Sequence, residues 1–135
     1  MSHQRVHIDY GRSGLDVFIP EEFQTTILNY GDIQAIPNPS QSVQDALLRP
    51  IESMPLSQIA HGKARCCIVT SDKTRPVPNP IILPIILNEL NAAGLRDDQI
   101  TILIGTGIHA PTTGTALEEM LGAEALRRCR VVNHE

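Results

Sequence analysis

Apolar residues along this chain fall into three distinct patterns. Near the amino end, "VHIDYG" and "LDVFIP" alternate apolar and polar positions on either side of "RSG". Alternation joined by a glycine-containing connection predicts a β-hairpin or two edge strands. Residues 20–42 read as loop, with "IPNPS" as the clearest breaker. Compact apolar runs come later. "RCCIVT" (residues 65–70) and "QITILIGTG" predict strands buried on both faces, and "CRVVNHE" predicts a third short strand.

Helical patterns fill the gaps. Ser42 and Asp45 are placed to cap a short helix through Leu48, stopped by Pro50. "PLSQIAHG" predicts a second, from Pro55 to Gly62. "IILPIILNELNAAG" predicts a longer one that begins near Ile81 or Ile82 and ends at Gly94, because Pro84 is comfortable only in a first turn. Its apolar residues run nearly all the way round. One face covers the sheet, and the other is left for a partner outside this chain. In "TALEEMLGAEAL", Thr115 and Glu118 have the spacing of a capping box. Strand, helix, strand, helix, strand is the pattern of a parallel sheet with right-handed crossovers. The expected fold is therefore α/β: an open, mostly parallel, Rossmann-like sheet flanked by helices, with an N-terminal β-hairpin, in one domain spanning residues 1–135.

Composition narrows the function. The chain has 135 residues, 41% of them hydrophobic and 19% charged, enough to bury a core without staples. Net charge is −4 and no Lys/Arg block occurs, which argues against a nucleic-acid surface. Aromatic residues are only 3%, too few for base stacking. Three cysteines without a C-x-x-C spacing support neither a disulfide framework nor a zinc site, and Cys66 and Cys67 are expected to pack as small hydrophobes. No signal-like or membrane-length apolar stretch is present, so the expectation is a soluble cytoplasmic protein.

Ligands of open parallel sheets bind outside the carboxyl ends of the strands. Two such ends are "SDKTRP" after Thr70 and "GTGIHAP" after Ile104. If those strands are neighbours, Asp72, Arg75 and His109 converge. Arg75 carries a fork suited to two-point contact with a carboxylate or phosphate. His109 is the side chain best suited to exchange a proton near neutral pH. Asp72 is able to orient the imidazole or to bind a hydroxyl; a simple pair with Arg75 stays open beside that. Gly105 and Gly107 allow backbone amides to approach an anion. "GTG" lacks the spacing of a dinucleotide or P-loop motif, so a tight turn is its plainer reading. His3, His7 and His61 have no partners in view. His134 ends the last strand, where a structural role is expected. No compact metal-ligand spacing occurs.

Taken together, "SDKTRPVPNPIILPIILNELNAAGLRDDQITILIGTGIHAPTT" resembles the N-terminal domain of the nickel-pincer lactate racemase family. The likeness extends upstream through "IDYG" and "ALLRPIESMPLSQIA", and downstream through "EEMLG" to "VVNHE". It implies the N-terminal lobe of a two-domain racemase or epimerase of lactate or another 2-hydroxy acid. The implied cofactor is a nickel-pincer nucleotide tethered through a Lys, with hydride abstraction at the substrate Cα and His acid/base catalysis. By this resemblance His109 is catalytic, Arg75 and Asp72 bind substrate, and Asp72, Thr106 and Gly107 lie on the cofactor. The chain departs from the family beside that His, at Ile108 and Ala110, which leaves the hydroxy acid open. The tether Lys, the nickel-ligating His and a second catalytic His are expected beyond residue 135, in a C-terminal lobe that this chain lacks, so the lobe alone is expected to be inactive. Two other readings stand beside this one: a non-catalytic phosphate- or nucleotide-binding module, and a docking subunit in an oligomer.

Overall fold

A computed structural model describes residues 3–28, 31 and 33–134. The backbone divides into two units, Met1–Ala35 and Ile36–Glu135. In the first, β1 (His3–Ile8) and β2 (Leu15–Pro20) pair antiparallel, with Ile8 opposite Leu15. This is the hairpin that the alternation predicts. Its register also sets His7 opposite Asp16, giving His7 a partner that the sequence did not reveal.

The second unit runs α1 (Pro39–Leu48), α2 (Leu56–Ala60), β3 (Cys66–Ser71), α3 (Asn79–Ala92), β4 (Ile100–Gly105), α4 (Gly114–Leu121), α5 (Ala123–Arg128) and β5 (Arg130–Asn133). Its strands are parallel in the order β3-β4-β5, with Cys66 aligned to Ile100 and Thr101 to Arg130. The α/β class, the parallel sheet with flanking helices and the N-terminal hairpin are as the sequence implies. Ile100, Ile102 and Ile104 of the central strand are buried together with Leu83, Leu87 and Leu90 of α3, Leu121 of α4 and Ala125 of α5. Each fully buried side chain of this size contributes about 1.5–3 kcal/mol, so this cluster holds the unit together. Arg128 adds a polar clamp, reaching Asp97 at 3.1 Å, Glu124 at 3.0 Å and Asn88 at 2.9 Å.

Several local expectations are corrected. Helix α1 starts at Pro39, because the Asn38 side chain accepts from the Gln41 amide at 3.2 Å. Asp45 does not cap; it pairs with Gln41 and Arg49 along the helix. Helix α3 starts at Asn79, which leaves Pro84 in its interior. An interior proline costs ~3 kcal/mol. Burial of Leu83, Ile85, Leu87 and Leu90 returns roughly 6–12 kcal/mol, so packing wins. Helices α1 and α2 both pack against α3. Thr115 and Glu118 form no capping box; α4 is led by Thr113, and Gly122, at φ 83°, separates it from α5. A Cβ at Gly122 would also press on Pro80 at 3.2 Å. Finally, β3 is buried on one face only: Cys67 and Val69 are exposed.

Candidate active site

The carboxyl ends of β3 and β4 are adjacent, so the loops that follow them meet. After Ser71 the chain turns at once, with the Arg75 amide donating to the Asp72 carbonyl at 3.1 Å. That turn tucks the Asp72 side chain inward, where the residue is only 3% exposed. One carboxylate oxygen accepts from the Thr74 hydroxyl at 2.6 Å and from the Thr74 amide at 3.1 Å. The other lies 2.5 Å from Nδ1 of His109. An acid that short of solvent stays ionised only because these donors favour its charge. The Thr74 hydroxyl first, then His109, hold the Asp72 carboxyl down from 3.8 to about 2.

His109 belongs to a loop pinned at both ends by the last strand. At the near end the Thr106 hydroxyl donates to the His134 carbonyl, and the His134 amide to the Ile104 carbonyl at 2.8 Å. At the far end the Asn133 side chain accepts from the Thr112 amide at 2.9 Å and donates to its carbonyl at 3.2 Å. Between the pins, Gly107 takes φ 57° and the His109 amide closes a turn on the Thr106 carbonyl at 3.0 Å. A side chain at Gly107 would be strained by that backbone. The outcome is an imidazole whose Nδ1 is held by a carboxylate, while 48% of the side chain remains open to solvent. Nε2 has no hydrogen-bond partner among the described residues. With Asp72 accepting from Nδ1–H, Nε2 is the atom left to take or give a proton.

Asp72 and His109 are thus brought together. Asp72 does not pair with Arg75, whose guanidinium instead donates to the Thr74 hydroxyl at 3.2 Å. Arg75 is exposed and lines a cavity of about 350 Å³ with Lys73, Pro76, Val77, Ala116, Glu119 and Met120. Thr106 spends its hydroxyl internally, whereas Gly107 is exposed and its amide makes no bond among the described residues. His134 serves through its backbone. Thr74 and Asn133 are the residues that sequence reasoning missed. An Asp followed two positions later by Thr is a recognised local turn signal, so Thr74 was detectable; the Asn133–Thr112 pairing spans 21 positions and was not.

The donors suit a polar organic ligand better than a metal ion. Asn79 Nδ2 and Thr112 Oγ1 are buried without a partner among the described residues, and orphans of this kind are where a ligand or ordered water bonds. Asn79 sits against the carboxyl end of β3, accepting from Thr70 at 3.1 Å. No group of three His, Cys, Asp or Glu able to hold a metal occurs among the described residues.

The sheet unit thus presents an imidazole, oriented by a carboxylate, at the carboxyl edge of its parallel strands. Residues 10–135 match the family described as the lactate racemase N-terminal domain, and the chain belongs to that family. It is 33% identical over 132 residues to a lactate racemase of Thermoanaerobacterium thermosaccharolyticum, covering 96% of this chain and 31% of that protein. It is 38% identical over 94 residues to a lactate racemase of Lactiplantibacillus plantarum, covering 70% of this chain and 22% of that protein. The solved lactate racemase apoprotein from T. thermosaccharolyticum matches with a TM-score of 0.72 at 32% identity, over 98% of this chain and 30% of that one. The chain therefore spans about a third of the length of these relatives.

Proposed function

We propose that this chain is the acid/base-supplying N-terminal lobe of a racemase or epimerase of small 2-hydroxy acids. The observation that carries the reading is the Asp72–His109 pair, with Nδ1 held and Nε2 outward at the carboxyl edge of the sheet. Nε2 of His109 takes the proton of the substrate hydroxyl as C2 becomes a carbonyl, and returns it in the reverse step. Asp72 keeps Nδ1 protonated throughout, which fixes the basic lone pair on Nε2. Arg75 holds the substrate carboxylate through its fork, and Lys73 beside it adds a second cation to the same cavity.

The family resemblance implies a nickel-pincer nucleotide. When bound, that cofactor supplies the acceptor for the Cα hydride. The Gly107 amide and the orphaned donors of Asn79 and Thr112 suit the nucleotide portion. Asp72 and Thr106 act on it only indirectly, since their polar atoms are already engaged. The nickel ligands, the tether Lys and the second histidine belong, on this reading, to a C-terminal lobe drawn from the length of the relatives that this chain does not span. No helix among the described residues is long and apolar enough to cross a membrane, which accords with a cytoplasmic enzyme.

The test combines the lobe with its C-terminal counterpart and cofactor, and follows enantiopure lactate and other 2-hydroxy acids by chiral chromatography. Interconversion that His109→Ala abolishes is the expected result. Equal rates in the variant would reject the proton-transfer role.

A further inference from the structure

Four side chains on two loops form one continuous run of hydrogen bonds. The Arg75 guanidinium donates to the Thr74 hydroxyl oxygen at 3.2 Å. That hydroxyl donates in turn to one oxygen of Asp72 at 2.6 Å, and the other oxygen lies 2.5 Å from Nδ1 of His109. Arg75 is thereby joined to the imidazole without touching it. Asp72 is only 3% exposed, and its remaining donor is the Thr74 amide at 3.1 Å. On the Arg75 side, the Thr74 hydroxyl is therefore the link to the carboxylate.

The outer contact is the one able to break. It is longer than the two inner ones, and both Thr74 and Arg75 are exposed. The backbone on either side of Arg75 is fixed. Its amide donates to the Asp72 carbonyl at 3.1 Å, and its carbonyl accepts from the Val77 amide at 2.8 Å. The guanidinium is thus free to leave Thr74 for an anion while Thr74, Asp72 and His109 keep their places. The cavity of about 350 Å³ that Arg75 lines with Lys73 is where it would meet one.

Hydrogen bonds in a chain reinforce one another, by about 10–30% per bond. While Arg75 donates to Thr74, the polarised hydroxyl holds Asp72 harder, and less carboxylate charge is left for Nδ1–H. When the guanidinium turns to a ligand carboxylate, that hold slackens and Asp72 grips Nδ1–H more firmly. A firmly held Nδ1–H makes the Nε2 lone pair a better proton acceptor. We propose that Thr74 is a positioning residue that couples the two ends of the site. Seating of a substrate carboxylate on Arg75 is relayed through the Thr74 hydroxyl and Asp72, and readies His109 for the proton. This coupling rests on the role of Arg75 proposed above.

The probe is propionate, which has the carboxylate of lactate but no 2-hydroxyl to meet Nε2. It is added to the full polypeptide that carries this sequence, and NMR follows the His109 Nδ1–H beside the Arg75 Nε–H. Saturating propionate is expected to move the Nδ1–H resonance downfield in the native protein and in Thr74→Ser, and to leave it unmoved in Thr74→Val. Arg75→Met, with no donor for Thr74, is expected to show the displaced resonance before any ligand is added. An equal displacement in Thr74→Val would overturn the coupling and assign the effect to the ligand's charge acting through space. An Arg75→Met resonance that coincides with the ligand-free native one would overturn it too, even where Thr74→Val misfolds. A silent Arg75 Nε–H under propionate rejects instead the carboxylate-holding role of Arg75, and the Arg75→Met spectrum still judges the relay.

Discussion

Two aspartate–histidine pairs occur among the described residues, and they teach opposite lessons. In the hairpin, His7 Nδ1 lies 2.9 Å from Asp16. The same carboxylate also takes the Arg5 guanidinium at 2.7 Å; Arg5 and His7 are well exposed and Asp16 is half-buried. In the sheet unit, His109 Nδ1 lies 2.5 Å from Asp72, which is screened from water and held a second time by Thr74. Both carboxyls are driven below their usual range, Asp16 by Arg5 and then His7, Asp72 by Thr74 and then His109. The chemistry of the partners is therefore alike. What separates them is address: one pair decorates an antiparallel ribbon, the other stands where parallel strands present their carboxyl ends to a ligand.

The sharpest way to break this comparison is to truncate each imidazole in the assembled enzyme. His109→Ala is expected to lower racemisation by about 10²–10⁴-fold, whereas His7→Ala leaves it within about twofold, both read as initial rates of enantiomer interconversion. Similar losses in the two variants would mean that position is not the distinction. Next come the carboxylates. Asp72→Asn keeps the shape but no longer fixes Nδ1 as the donor, so a loss of about 10²-fold in kcat with little change in KM is expected, against none for Asp16→Asn. Thr74→Val should cost less, about tenfold, and Thr74→Ser should restore most of it, because only the hydroxyl that anchors Asp72 is at stake.

The smallest effect is on acid stability. Asp72 titrates at about 2 when folded and near 3.8 when not, so its contribution is complete above about pH 4 and lost as the pH falls through about 2. Circular dichroism across that range should show the native chain losing this stability while Asp72→Asn has none of it to lose. Asp16→Asn should alter the curve in the same direction, since its carboxyl is also depressed in the fold. Any acid limb of activity above pH 3 then belongs to another group than Asp72.

Legibility in the sequence followed the range of the interactions. Strands β3, β4 and β5 showed as apolar runs because burial is written into composition, and their order along the chain was enough to bring Asp72 and His109 to one edge. The start of α3 was misplaced because a local rule about Pro84 met a tertiary gain that exceeded it. Thr115 and Glu118 had the spacing of a cap but lay inside α4, where Thr113 already leads. The one-sided burial of β3 escaped notice, since an apolar run looks the same whether one face is packed or two. The Asp16–His7 pair needed the hairpin register, and the Asn133–Thr112 clamp needed the fold itself.

That clamp bears on how the protein is born. The loop bearing His109 is fixed by the Asn133 side chain and the His134 backbone, some 25 residues downstream of His109. Chains leave the ribosome at about 5–20 residues per second, so the imidazole emerges roughly 1–5 s before the strand that sets its loop. A nascent chain holds Asp72 and His109 during that interval, yet the loop bearing His109 acquires its arrangement only when β5 docks.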